Sequence, residues 1–179
     1  MGAEVFDFRD GNGPVPARRH ANGGGWVACT AHADESARVS GNAQVYGNAC
    51  VSGNACVYDD AWVCGNARVY GDARVSGNAR VYGNACVYGD ARVSGNARVY
   101  GDAWVSGNAQ VSPISISGLA YPITITDNHL RAGCQTHTFA GWRTMTPEQI
   151  SVMDGQKATD FYPVLIDIID LLCKDREAK

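Results

Sequence analysis

The chain's densest group of chemically able side chains comprises Asp127, His129, Arg131, Cys134 and His137, with Trp142 close behind. Imidazole, thiolate and carboxylate are the donors zinc takes, and imidazole is also the commonest general base near neutral pH. Cys134 and His137 stand as Cys-x2-His, only half of a finger pattern, so no metal and no cofactor are expected. Arg131 and Trp142 add a cation and an aromatic face suited to ligand contact. The group is read as a ligand or partner site, against the plainer reading of a turn whose histidines bond backbone groups.

Strands and helices have to position that group. On its N-terminal side, Ile114 and Ile116 alternate with Ser115 and Ser117, and Tyr121, Ile123 and Ile125 alternate with Pro122, Thr124 and Thr126. That period of two predicts a β-hairpin or two short strands leading into the group. On its C-terminal side, Thr146-Pro147-Glu148-Gln149 has the form of a helix start, with Pro just inside and Gln at the third position. This helix should run to about Asp154. Gly155 then separates it from a longer helix ending near Lys174. Phe161, Leu165, Ile168 and Leu172 form that second helix's apolar stripe, widened by Val164, Ile169 and Leu171. Pro163 is near enough its start to be tolerated or to kink it.

Much of the remaining chain is one hexapeptide, Ala-x-Val-Ser/Tyr-Gly-Asn/Asp. Valine recurs at every sixth position from Val39 to Val111, and alanine stands two residues before each, from Ala37 to Ala109. A fixed short period predicts a solenoid. Ala-x-Val alternates in, out, in, as a short strand does, and Gly-Asn/Asp suits a turn with positive φ. Three such bends close a triangle around columns of valine and alanine, a dry core with no room for a ligand. The phase already holds at Val27 and Ala33. Before that, Val5, Phe6 and Phe8 predict a strand, Asp10-Gly11-Asn12-Gly13 a turn, and Pro14 and Pro16 an extended segment. Asn22-Gly23-Gly24-Gly25 has the glycines of a phosphate cradle. No helix pattern comes after them, so they are read as a bend into the first coil.

The hexad resembles the hexapeptide-repeat proteins, whose signature is an aliphatic residue with a small residue four places on, as in Val51-Ser52-Gly53-Asn54-Ala55-Cys56. The resemblance covers about half the chain. It implies an all-β solenoid, a left-handed parallel β-helix with about 18 residues, or three hexads, per coil. The repeats then make about five triangular coils, followed by a small α/β C-terminal segment of a β-hairpin plus two helices. The expected divisions are 1–26 as an N-terminal cap, 27–112 as the β-helix, 113–145 as strands and loop, and 146–179 as C-terminal helices.

With that stacking, one outer face carries Arg38, Cys56, Arg74, Arg92 and Gln110 and reads as solvated. A second carries Trp26, Gln44, Trp62, Arg80 and Arg98, beside Tyr46, Cys64, Tyr82 and Tyr100. A third carries His32, Cys50, Arg68, Cys86 and Trp104, beside Tyr70 and Tyr88. Aromatics with arginine are the composition of contact surfaces, so Arg80, Arg98, Tyr82 and Tyr100 join the candidate binding residues. Family members usually form three-fold trimers, which makes a homotrimer the expected assembly.

Many family members transfer acyl groups from coenzyme A with a histidine base at a subunit boundary. His32, His129 and His137 are the available bases here, but no inserted loop interrupts the repeats to shape such a site. One histidine among the coils cannot supply the three zinc ligands of the family's carbonic anhydrases. Binding is therefore expected in preference to catalysis, and no catalytic residue is assigned. The glycine-rich leading segment, the Gly-Asn-Ala repeats and the trailing Ile-Thr-Asp-Asn-His…Gly-Cys…His…Trp together look like short hexapeptide-repeat proteins of phage and prophage genomes. That likeness implies an antagonist of host defence that sequesters a nucleotide-type ligand or a host protein. A coenzyme-A-dependent acyltransferase and a structural spacer are the alternatives.

A formal charge of -3 over 179 residues gives no general attraction to nucleic acid. With no apolar leader and no apolar run of bilayer length, a cytoplasmic protein without membrane contact is expected. Cys50 and Cys86 share a column, but Arg68 lies between them, which puts the sulfurs about 10 Å apart and beyond disulfide reach. Free thiols in a reducing compartment are expected.

Overall fold

From Arg38 to Val105 each hexad folds into a two-residue strand ending on its valine, and the turn between one strand and the next falls on glycine, or on Asp59 after Val57. The structure, a computed structural model, describes residues 4–110 and 112–174. Strands 18 residues apart in sequence pair in parallel, as Arg68 with Cys86 and Val69 with Val87. Trp26–Ala28, Gln44–Val45, Trp62–Val63, Arg80–Val81 and Arg98–Val99 form one such ladder. The ladders from His32–Ala33 to Trp104–Val105 and from Arg38–Val39 to Asn108–Ala109 form the other two. Each face thus holds five parallel strands, with four steps from its first level to its last. Amides of one level donate to carbonyls of the next, Tyr46 to Val63 at 3.0 Å and Trp62 to Ala79 at 2.9 Å. Val27 and the repeat valines from Val39 to Val105 are 0% exposed. Three strands converging on one axis leave room only for small side chains, and anything larger would overpack. The parallel β-solenoid expected from the hexad is the fold of this part.

Two details of the repeat differ from expectation. The first is its end. Asn108 pairs with Arg92 and Ala109 with Val93, so Ala109 fills the valine position and Gln110 does not join the Arg38 column. Val111 lies outside the described residues. Pro113 has no N–H to continue a ladder, and the Ser112 hydroxyl accepts the Arg98 amide at 3.0 Å instead. The second is the turn. Positive φ falls on the glycine and not on the Asn/Asp after it; the described exceptions among other residues are Arg9 and Asp59. The asparagines stack side chain on side chain, Asn66 donating to Asn84 and Asn84 to Asp102, both at 3.1 Å.

Glu4–Phe6 and Val15–Arg19 form an antiparallel hairpin that joins the edge of the Trp26 ladder. The glycine run is a bend into the first coil, fixed by close approach. A Cβ on Gly23 would stand 2.5 Å from the Val39 carbonyl oxygen, and the Gly25 amide donates to that oxygen at 2.8 Å. Buried His20 pins the bend, with Nε2 donating to the Asp34 carbonyl at 3.0 Å and Nδ1 accepting from the Asn22 amide at 3.3 Å. All seven cysteines are free, and Cys50 and Cys86 each pair with Arg68.

The chain divides into two compact units, Met1–Pro113 and Ile114–Lys179. The second is a four-stranded antiparallel sheet, in the order Ile114–Ile116, Ile123–Ile125, His129–Ala132, Gln135–Thr138, with helices α1 (Phe139–Arg143) and α2 (Pro147–Leu172). The sheet is larger than the expected hairpin, because the stretch expected as a loop supplies two more strands, His129–Ala132 and Gln135–Thr138. Helix α1 was not expected either: it is only five residues long, and Thr138 caps it by accepting from the Gly141 amide at 3.0 Å. Helix α2 starts at the expected capping box of Thr146 and Gln149. It leaves helical geometry at Asp154 (φ -158, ψ 38) and Gly155 (φ 56, ψ -140), so the two expected helices are its halves. Phe161, Leu165 and Ile169 bury against Ile123, Ile125, Leu130 and Trp142. Val164, Leu171 and Leu172 of the expected stripe stay exposed. Among the described residues no helix is long and apolar enough to cross a membrane.

Candidate functional site

Residues opposed across an antiparallel pair share a sheet face. His129 opposes Thr138, Leu130 opposes His137, Arg131 opposes Thr136 and Ala132 opposes Gln135. His129 and Arg131 therefore lie on one face. His137 lies on the other, with buried Leu130 and Ala132. Exposed Cys134 sits in the turn between these strands, and half-buried Asp127 precedes them. His129 Nδ1 bonds the Asn128 side-chain oxygen at 2.7 Å. His137 meets the Trp142 ring edge-on at 4.8 Å, and its Nε2 is buried without a hydrogen-bond partner. Trp142 is itself buried and donates Nε1–H to the Leu130 carbonyl at 2.8 Å. Burial lowers the pKa of both histidines from its ordinary value, and for His129 the charge of His137 adds to the effect. The candidate residues of this unit are thus distributed over two faces and a turn. Among the described residues, no three His, Cys, Asp or Glu side chains come together as a metal ion would require.

The solenoid unit offers a more convergent arrangement. Where the N-terminal hairpin meets the Trp26 ladder there is a cleft of about 700 Å³, lined by Arg9, Arg19, Trp26, Gln44, Trp62 and Arg80 among others. Trp26, Gln44, Trp62 and Arg80 are successive rungs of one ladder. The Arg19 guanidinium lies 3.9 Å from the Trp26 ring centre, and that of Arg80 lies 4.4 Å from Trp62. Phe6 stacks on Trp26 at 4.3 Å. An indole under a guanidinium holds its plane. Arg19 Nη1 already donates to the Gly24 carbonyl at 2.9 Å, and its other N–H groups, with those of Arg80, are the donors a planar oxyanion would use. Arg9 occupies the left-handed region at φ 56, with its amide held by the Asp7 carboxylate at 2.8 Å. Gln44 Oε1 is buried without a partner. Three arginines face two acids here, Asp7 and Asp60, and Asp60 already accepts from Asn42 at 3.0 Å.

Of the candidates read from the outer faces, Arg80 lines this cleft. Arg98 is the next rung, and Tyr82 and Tyr100 stack on each other at 5.5 Å outside the lining residues. Arg9 and Arg19 escaped sequence reasoning because they belong to the hairpin, whose pairing with the ladder the hexad does not encode. The column of Trp26, Gln44 and Trp62 was visible in the 18-residue stacking. His32 forms an oriented pair with Asp34, Nε2 to Oδ1 at 2.7 Å, while the other Asp34 oxygen accepts the Gly53 amide at 3.1 Å. That amide bond first, and His32 second, hold the Asp34 carboxyl below its usual pKa. The His32 side chain is 66% exposed.

The family model of the YdcK beta solenoid repeat matches residues 43–59, 61–77, 73–89, 79–95, 85–100, 91–107 and 97–112. From 73 onward successive matches begin six residues apart, which is the hexad period. The likeness is to a repeating β-solenoid and falls within the first unit. No curated protein and no solved structure matches the chain.

Proposed function

We propose that this is a non-catalytic binding protein whose cleft on the Trp26 face takes a small anionic ligand of nucleotide type. The observation that carries the reading is the convergence of Arg9, Arg19 and Arg80 with Trp26 and Trp62 around one cleft of about 700 Å³. That is within the usual size range of small-molecule sites. Arginine edges suit phosphate oxygens, and the unpaired Gln44 oxygen can accept an N–H if the amide turns outward. The likeness to short hexapeptide-repeat proteins of phage genomes supports a role in sequestering such a ligand from a host defence system.

Calorimetric titration with a panel of mono-, cyclic and dinucleotides tests this. At least one should bind saturably. The Arg19→Ala/Arg80→Ala protein should bind it at least about tenfold more weakly, as loss of charge-assisted contacts implies. Arg68→Ala, on the His32 face, should bind it unchanged. A panel with no binder, or equal affinity in the double variant, overturns the reading. The acyltransferase alternative rests on the His32–Asp34 pair, and acetyl-coenzyme A turnover lost in His32→Ala would establish it instead.

A further inference from the structure

The second unit contains a pocket of about 290 Å³ between its sheet, α1 and both halves of α2. Ile150 and Met153 reach it from before the Asp154–Gly155 break, Ala158, Phe161 and Leu165 from after it, and Trp142 from α1. Most of its wall is apolar, and its polar groups lie at the edge or are engaged: Gln135 Nε2 donates to Cys134 Sγ at 3.9 Å. The Trp142 indole N–H donates to the Leu130 carbonyl and the Tyr162 hydroxyl to the Trp142 carbonyl. At the rim the Tyr121 hydroxyl donates to Asp154 Oδ2 at 2.6 Å. Lys157 stands 3.9 Å from the same oxygen and 4.6 Å from the centre of the Tyr121 ring. The rim charges are thus paired with each other, and the wall offers a guest apolar and aromatic surface. Such a space is unfavourable for water, which needs two to four polar partners.

We propose that this pocket binds a small uncharged aromatic molecule of one or two rings, independently of the anion-binding cleft. An apolar cavity of about 150 Å³ takes one benzene, so about twice that volume suits roughly ten to twelve non-hydrogen atoms. The edge-on meetings of Tyr121 with Phe161 at 5.3 Å and of His137 with Trp142 at 4.8 Å show rings already packed in this mode around the site. A charged guest would have to compete with the Lys157–Asp154 pair or lose its hydration without a partner.

Indole is the probe, titrated into the full-length chain by calorimetry and by NMR of labelled Ile150 and Met153 methyl groups. Saturable binding with a Kd of about 0.1–1 mM is expected for a ligand of this size, with shifts at both methyls. Benzoate should bind at least tenfold more weakly. Ala158→Phe fills the pocket and should also weaken indole at least tenfold in protein that keeps its unfolding transition. If that variant does not fold, Ala158→Leu provides the same comparison with a smaller side chain. Absence of saturable binding, shifts that avoid Ile150 and Met153, benzoate binding as tightly as indole, or a folded filled variant that binds as the parent does would each overturn the proposal.

Discussion

Sequence density alone placed His129, Cys134 and His137 together, and strand pairing then separated them. A shift of one residue in a strand exchanges its two faces. Which histidine faces the helices therefore depends on register, and no residue type in the group reveals it. The separation has a consequence in pH. Burial lowers both histidine pKa values below the ordinary value. A histidine held neutral in the fold but free to protonate when unfolded contributes stability that is complete above the unfolded pKa of about 6.5. That contribution is lost as pH falls through this value toward the folded pKa. The second unit should therefore melt at lower temperature at pH 5 than at pH 7.5, with a weaker dependence in His137→Gln. Calorimetry showing the same pH slope for both proteins would mean that His137 does not contribute. The thiols give a second check at this scale. Cys29 and Cys134 are exposed and Cys86 and Cys173 buried, while burial pushes the Cys64 thiol up. Thiolate fraction and access set alkylation rate. Iodoacetamide followed by peptide mass spectrometry should mark Cys29 and Cys134 well before Cys64, Cys86 and Cys173.

At the level of elements, the hexad carried most of its own structure: valine inward, x outward, glycine at the bend. The part it did not carry is why glycine is needed so often. Gly65 has φ +68, and a Cβ there would stand 3.0 Å from the Gly83 amide of the next level; Gly101 has φ +64 with nothing within 4 Å. Alanine at either site incurs the left-handed backbone cost of about 1–2 kcal/mol. Only Gly65→Ala adds the crowding of a stacked turn, worth about 1–3 kcal/mol where neighbours cannot move. Chemical denaturation should show Gly65→Ala clearly less stable than Gly101→Ala, and equal losses would show that the stacked turns can separate freely. The second unit was legible in outline, because Ile-x-Ile alternation and the Thr146 capping box are strong local signals. The strands His129–Ala132 and Gln135–Thr138 were missed because four residues containing His, Arg and Gln show too little apolar alternation to declare a face. Helix α1 was missed because five residues complete too little of a 3.6-residue period.

For the whole molecule, the aromatic columns of the solenoid are the basis for an assembly, and we propose a homotrimer. Tyr82 and Tyr100 stack at 5.5 Å on the Trp26 face, while Tyr70, Tyr88 and Trp104 succeed one another at 5.6 and 6.0 Å on the His32 face. Tyr100 is 50% and Trp104 40% exposed. Monomeric proteins seldom leave extended apolar surface open to water, and aromatics are enriched in contact surfaces. Two different aromatic faces on one triangular unit favour a contact in which the Tyr100 face of one copy meets the Trp104 face of the next. A head-to-tail contact of that kind closes into a ring when its rotation closes and otherwise grows into a filament. A rotation of about 120° between copies gives the trimer proposed here. Light scattering should then give three times the chain mass of 19.0 kDa. Tyr100→Glu and Trp104→Glu should each open the ring, because each removes one partner from every contact. Mixed together, the two variants should recover a heterodimer, since the first keeps an intact Trp104 face and the second an intact Tyr100 face. A parent protein that scatters as a monomer at micromolar concentration would end the trimer reading. Variants that stay trimeric would remove these faces from it, and a mixture that stays monomeric would show that the two faces do not meet each other.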